Sequence, residues 1–229
     1  MFVRRIDWID HCRALAVMWM IIFHFTYDLR IFGLPSISTH AQWYWHGFPT
    51  LIVATFMFSM GLSLDFAKTH GKLGGARFWK RWLKIAVGAG LVSLGTWLTF
   101  PERWVYFGTL HSIAACSLLV WPFLNRPRLS LLVALIILSA ELSGFTVPWF
   151  KLSHPSMDYI PPFPWVSYAL LGVAFRNSLS KTPAFQNWPK IRFLSLLGRH
   201  SLKIYLLHQP TLIFIVWCLS KLNEVFDGG

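Results

Sequence analysis

Residues 12–25 read "CRALAVMWMIIFHF", an apolar run with a guanidinium at one end and an imidazole near the other. A bilayer-crossing helix needs about 20 mostly apolar residues to span a hydrocarbon core of roughly 30 Å, and this run has that character. The rest of the chain follows it. Of 229 residues, 55% are hydrophobic, 17% aromatic and only 13% charged, with a mean hydropathy of +0.50; soluble domains carry about 25% charge. The composition excludes an ordinary soluble enzyme and predicts an all-α, polytopic membrane helix bundle, a single domain over residues 1–229. Arg4 and Arg5 ahead of the run imitate a signal peptide, but Asp7 and Asp10 interrupt it and His24-Phe25-Thr26-Tyr27-Asp28 follows where a small-residue cleavage site belongs. The expectation is an uncleaved first span.

Working outward, seven segments approach spanning length: 12–33, 48–66, 82–100, 104–124, 129–145, 160–176 and 201–219. Gly33-Leu34-Pro35, Phe100-Pro101, Arg126-Pro127 and the stretch from Tyr159 to Pro164 supply the breaks, because proline cannot continue a helix and restricts the residue before it. With these boundaries, 17 of the 21 Lys and Arg fall at the N-terminus and in alternate loops; Arg30, Arg103, Lys151 and Lys221 fall on the other side. That asymmetry predicts a cytoplasmic N-terminus and an external C-terminus. It also accounts for the net charge of +12 without nucleic acid, for which no binding module is present. Trp43, Trp45, Trp104, Trp149 and Trp165 lie near span ends, where amphipathic rings anchor at headgroups. Gly88, Gly90 and Gly95, with Ala86 and Ala89, predict close helix packing along the third span. Cys12, Cys116 and Cys218 are odd in number and widely spaced, so they imply neither a disulfide framework nor a metal knuckle.

Ionisable groups at membrane depth cost several kcal/mol and are functional candidates by default. Arg13 and His24 are eleven positions apart, about 20° past three helical turns, and so share one face about 16 Å apart along the axis. Asp28 lies one turn beyond His24, within reach to fix an imidazole tautomer or stabilise its cation. The same arithmetic puts His24, His111 and Glu141 some 10–12 Å below the outer surface, in one polar layer drawn from three spans. His208 and Gln209 lie lower, ahead of Pro210. The plainer readings stand beside these: a lone His111 or His208 can be a packing hydrogen bond, Arg13 can snorkel to the surface, and Glu141 sits near a helix end.

The stretch "LPSISTHAQWYWHGFP", residues 34–49, has no Lys, Arg, Asp or Glu, yet carries His40, His46, Trp43, Tyr44 and Trp45 across the outer mouth of that layer. Its aromatics suit stacking on a sugar-like acceptor or interfacial anchoring better than His40 and His46 suit a metal, and no metal site is expected.

These residues also carry a resemblance. Arg13 and His24 within "RIDWIDHCRALAVMWMIIFHFTYDL" resemble the opening of membrane acyltransferases that acylate cell-envelope sugars. "HAQW" with "FMFSMGLSL" (residues 40–43 and 56–64), "FGTLHSIA" (107–114), "YIPPFPWVSYALLGVAF" (159–175) and "LLGRHSLKIYLLHQP" (196–210) are similar, in order, to blocks of the heparan-alpha-glucosaminide N-acetyltransferase catalytic-domain-like family. The resemblance implies transfer of an acetyl group from cytoplasmic acetyl-CoA, as co-substrate, to an amino sugar or other envelope glycan on the far side. The essential family histidine falls by similarity on His40; the position of His24 is Asn in animal members and commonly His in bacterial ones. The expectation places His24, His40 and Asp28 at the chemistry, Arg13, Arg199 and His208 at the donor, and Trp43, His111, Glu141 and Trp165 at the acceptor, in a bacterial cytoplasmic membrane. A phosphate-rich thioester suits the cationic inner face, and an imidazole supplies a base near neutrality. The expected partners are the acyl-CoA donor, the glycan acceptor and membrane lipid, with a homodimer left open. A proton-coupled transporter or a structural membrane subunit is the alternative on the same polar layer.

Overall fold

The computed structural model describes residues 7–35, 37–38 and 40–227. Arg4 and Arg5, which enter the charge asymmetry, lie outside them. The helices are α1 (Asp7–Ile31), α2 (Phe48–Thr69), α3 (Gly75–Thr99), α4 (Thr109–Leu119), α5 (Pro127–Leu142), α6 (Pro162–Lys181), the short α7 (Pro183–Gln186) and α8 (Arg192–Arg199), and α9 (Ser201–Asp227). A five-residue π-helix, Trp43–Gly47, leads into α2. Each of the seven segments expected to span holds a helix. Among the described residues four are long and apolar enough to cross a membrane: α1, α2 with its π-helical entry, α3 and α9.

Two of the expected spans differ from their reading. In place of a helix over 104–124, α4 has 11 residues; in place of 129–145, α5 has 16. Residues 101–108 run irregularly because their polar backbone finds partners outside a helix. Val105 N–H bonds Thr96 Oγ1 at 2.9 Å, Met157 N–H bonds the Arg103 carbonyl at 2.9 Å, Ile160 N–H bonds that of Phe107 at 2.9 Å, and Phe107 forms a bridge with Tyr159. Non-helical backbone at such a level survives only when protein covers it, and Val105 and Phe107 are buried. At its far end α4 gives way to a single 3₁₀ turn, Trp121–Phe123, and Pro127 starts α5 where its missing N–H costs nothing.

The chain forms two compact units, one of Met1–Ile9 with Val53–Lys190, the other of Asp10–Ile52 with Ile191–Gly229. In the first, α2 is far more enclosed than α3, 61% of its apolar window being buried against 11%, so α2 is core and α3 presents Leu83, Val87, Leu91, Leu94 and Leu98 outward. Helices α2 and α6 meet backbone to backbone. A Cβ on Gly61 would stand 1.9 Å from the Ala169 carbonyl oxygen, and one on Gly172 would stand 2.3 Å from that of Phe58. Of the small residues expected to pack closely along the third span, Gly88 and Ala89 are buried, whereas Gly90 and Gly95 face open space. The unit is pinned at one end by Asp65, fully buried, whose carboxylate takes Arg176 Nε at 2.5 Å and the Asn125 N–H at 2.5 Å. Asn125 adopts φ +65°, the left-handed region that Asn tolerates.

In the second unit, α1 is joined to α8 at its N-terminal end and to α9 further along. His11 Nε2 lies 3.0 Å from Ser195 Oγ, and Gln209 Nε2 donates to both oxygens of Asp28 at 3.0 and 3.2 Å. The first tie reaches α8 and the second α9, so α1 is held to the C-terminal segment at two levels.

Candidate functional site

Helix α1 carries two polar clusters on one face, both inside the second unit. The first lies near its start. Asp10 is buried, and its Oδ1 takes Arg13 Nη1 at 3.0 Å while its Oδ2 faces Arg199 Nε at 3.8 Å. Arg199 reaches this position because α8 approaches α1 without a side chain between them: a Cβ on Gly198 would stand 1.9 Å from the Asp10 carbonyl oxygen. Two guanidiniums therefore face one carboxylate at this end of the helix. Sequence reading placed Arg13 and Arg199 together as cations but treated Asp10 as an interruption of an apolar run. The signal was present, since Asp10 and Arg13 are at i, i+3 spacing and therefore neighbours on a helix.

The second cluster sits fourteen residues later, about 21 Å along α1 from Asp10. The ring of His24 lies 4.9 Å, centroid to centroid, from that of His208 on α9, inclined at 62°. His208 Nδ1–H donates to the Tyr205 carbonyl at 2.5 Å, which leaves Nε2 as the free lone pair of a neutral imidazole. That Nε2 is buried and has no hydrogen-bond partner, and the same holds for Oε1 of the adjacent Gln209. Buried polar atoms without partners are rare in native proteins and need a reason. Here two sit side by side, next to a second imidazole and a buried carboxylate.

The structure brings His24, Asp28 and His208 together, with two corrections. Asp28 was expected to reach the His24 imidazole, but its carboxylate is held by the Gln209 amide. His208 was expected at the donor end with Arg13 and Arg199, but its ring stands against His24 instead. Depth arithmetic missed the second point because it treated α9 as an isolated rod. Gln209, noted in the sequence only as a neighbour of His208, is the residue that fixes Asp28.

The 34–49 stretch folds over the same end of α1. Phe23, one residue from His24, packs around Tyr44, Trp45 and Phe48, at centroid distances of 5.9 to 6.3 Å. Tyr44 hydroxyl bonds Thr26 Oγ1, Trp45 Nε1–H donates to the Ser38 carbonyl at 2.9 Å, and the Arg30 guanidinium lies 5.1 Å over the Trp45 ring. Trp45 is therefore committed to holding the loop, whereas Trp43 stacks on Phe48 and is 67% exposed. His40 stands exposed on the preceding turn, its N–H on Ser38 Oγ at 3.3 Å. The rings beside His24 are those of Phe23 and His208, not His40.

The other acceptor-side expectations fall in the first unit. His111 is the third residue of α4, not seven residues into a span. Its Nδ1 accepts the Gly108 N–H at 3.2 Å and its Nε2–H faces Ser93 Oγ at 3.1 Å, while the Ser93 hydroxyl donates to the Val105 carbonyl at 2.7 Å. Both ring nitrogens are thus engaged in bracing the irregular 105–108 segment. Glu141 is one residue from the end of α5 and exposed, so the depth assigned to it fails with the length assigned to that helix. Trp165, half-buried in the first turn of α6, packs on Tyr168 at 5.8 Å. Among the described residues, no group of three or more His, Cys, Asp or Glu is placed to hold a metal ion.

The heparan-alpha-glucosaminide N-acetyltransferase catalytic family matches residues 5–210. The chain belongs to that family. No curated protein and no solved structure matches it. The family match spans both α1 clusters and ends at Pro210, one residue beyond Gln209, so every residue of the His24–His208–Gln209–Asp28 group lies inside it. With four helices able to cross a bilayer, membership makes the chain an acetyltransferase-like integral membrane protein.

Proposed function

We propose that this chain transfers an acetyl group from acetyl-CoA, taken from the cytoplasmic side, to an amino sugar or other envelope glycan on the external side of a bacterial cytoplasmic membrane. Seven crossings with a cytoplasmic N-terminus agree with the Lys and Arg asymmetry. The observation that carries the reading is the unpartnered, buried His208 Nε2 beside His24 and Gln209 Oε1, in a chain whose family transfers acetyl groups. An acceptor amine would donate one hydrogen to that lone pair and a second to Gln209 Oε1; a hydroxyl would donate its single hydrogen to the lone pair. As the acceptor attacks the thioester carbonyl, its proton passes to an imidazole, the carbon–sulfur bond breaks and the thiolate leaves as CoA. A positioned base of this kind is worth roughly 10²–10⁴ in rate. Asp28 acts through Gln209, holding the amide so that its oxygen faces the acceptor. The Arg13–Asp10–Arg199 cluster suits the donor's phosphates, and exposed Trp43 suits the face of a sugar.

The test is transfer of radiolabelled acetyl from acetyl-CoA to a panel of amino sugars and envelope glycans by full-length protein in liposomes. His208→Gln, His24→Ala and the His24→Ala/His40→Ala pair are expected to fall at least a hundredfold below the wild type, with unchanged protein yield. Variants that transfer acetyl as fast as wild type would refute the imidazole mechanism. Solute flux driven by pH with no thioester consumed would refute acetyl transfer and favour the transporter.

A further inference from the structure

The first unit contains a groove of about 450 Å³ lined by none of the residues of the two α1 clusters. It is lined from the N-terminal turn of α1, the C-terminal ends of α2 and α6, and the segment through α7. Its walls are flat rings. On one side Phe185 and Trp188 are parallel within 7° at 5.6 Å, with Trp8 against Phe185 at 4.9 Å. On another, Phe66 and His70 stack at 4.0 Å and 23°. Two cations, Arg176 and Lys181, and one acid, Asp7, line it, and Arg176 is itself paired with Asp65 behind the wall.

Arg176 is a built element of this wall. It is buried, and its Nε is fixed by Asp65 at 2.5 Å. A clamped Nε leaves the two Nη groups of the fork in a set direction, an arrangement suited to phosphate. Next to it on α6, half-buried Asn177 adds a primary amide to the lining, the side chain whose paired donor and acceptor match the edge of adenine. Flat aromatic surfaces bind bases through their π-faces. A lipid headgroup offers phosphate but no ring to occupy those surfaces, and a simple inorganic anion would leave most of the volume unfilled.

We propose that this groove is a binding site for a phosphorylated adenosine, its base against the Trp8–Phe185–Trp188 and Phe66–His70 surfaces and its phosphate on Arg176 and Lys181. The same chemistry is offered by a free adenine nucleotide acting as a regulator and by the 3′-phosphoadenosine end of a thioester donor. Only the second source rests on the acetyl-transfer reading.

The experiment is photolabelling of full-length protein in detergent with an azido derivative of 3′-phosphoadenosine 5′-diphosphate, followed by mapping of the labelled peptide. Label is expected in the segments around residues 66–70 or 183–188, and Trp188→Leu and Lys181→Gln are each expected to weaken binding of the unlabelled nucleotide about tenfold. Both side chains are at the rim, so folding is checked by an unchanged elution profile and melting temperature. Competition separates the sources: displacement by AMP or ADP as readily as by CoA marks a free nucleotide, and displacement by CoA and 3′-phosphoadenosine 5′-diphosphate alone marks the donor. Label mapping wholly outside the groove, or binding unchanged in both variants, would overturn the site. Label in the groove without any thioester turnover would leave the site standing and refute acetyl transfer; turnover with label elsewhere would do the reverse.

Discussion

Gly198 lets α8 lie against the first turns of α1, and Gly198→Ala tests both that packing and the cationic cluster that depends on it. The added Cβ would stand 1.9 Å from the Asp10 carbonyl oxygen, 2.6 Å from its carbon and 2.8 Å from its Cα. Close carbon–oxygen contacts settle at about 3.3–3.6 Å, so the two backbones must part by about 1.4 Å. All three neighbours are main chain, so no rotamer change relieves the clash. Overpacking of this kind costs about 1–3 kcal/mol. Arg199 begins 3.8 Å from Asp10 with 43% of its side chain exposed; such a pair contributes about 0–1 kcal/mol to stability, and the same retreat carries it out of ion-pair range. The expected result is a lower melting temperature by scanning fluorimetry in detergent, together with a raised KM for the thioester at a kcat that changes little. Gly90→Ala is the control, because a Cβ there meets nothing within 4 Å, and Ala is favoured over Gly in a helix by up to about 1 kcal/mol. If Gly198→Ala melts with the wild type, the close approach is wrong. If it melts early but binds donor unchanged, Arg13 and Arg199 do not meet the donor.

Three further outcomes are expected. Asp65→Leu should lose about 3–5 kcal/mol, because buried Arg176 is left without its partner, and Asp65→Leu/Arg176→Met should recover most of it; losses that simply add in the double variant would deny the coupling. Gln209→Leu removes the amide donor that meets both oxygens of buried Asp28 and should cost about 1.5–3 kcal/mol. An equal loss from Gln209→Leu in wild-type and Asp28→Ala backgrounds would show that the pair does not interact. Burial pushes the Asp158 carboxyl above its ordinary value of 3.8, against the pull of the Thr109 N–H and hydroxyl donors. The folded state therefore holds this proton more tightly than the unfolded chain, and its contribution to stability falls as pH rises from 3.8 to the raised value. Asp158→Asn should flatten that decline in a melting-temperature profile; an unchanged profile would mean that Asp158 titrates normally.

What the sequence disclosed and what it withheld divide along one line, whether a feature is local to a helix. The shared face of Arg13, His24 and Asp28 follows from 100° per residue, and α1 runs unbroken through all three. The partners of that face do not follow. Gln209 is 181 positions from Asp28, and Ser195 is 184 from His11, so no period within one span could name either. Small residues show the same limit. Gly90 and Gly95 look as suited to helix packing as Gly61 and Gly172, yet only the latter pair meets a backbone, because the choice depends on which helix lies opposite.

Depth arithmetic failed for His111 and Glu141 for a related reason. It assumed that each apolar segment is one straight helix, whereas backbone partners from residues 157–160 hold 103–107 in an irregular run and α5 stops at Leu142. A polar residue inside an apolar run is best taken as half of a pair whose other half lies elsewhere in the chain. Asp10 illustrates this most directly. Judged by its own segment it is a defect in a span, and judged with Arg13 and Arg199 it is the group that holds two cations at one end of α1. Carboxylates that interrupt a membrane helix near a basic residue at i, i+3 should therefore be counted among the site candidates, with the expectation that a second cation from another helix completes them.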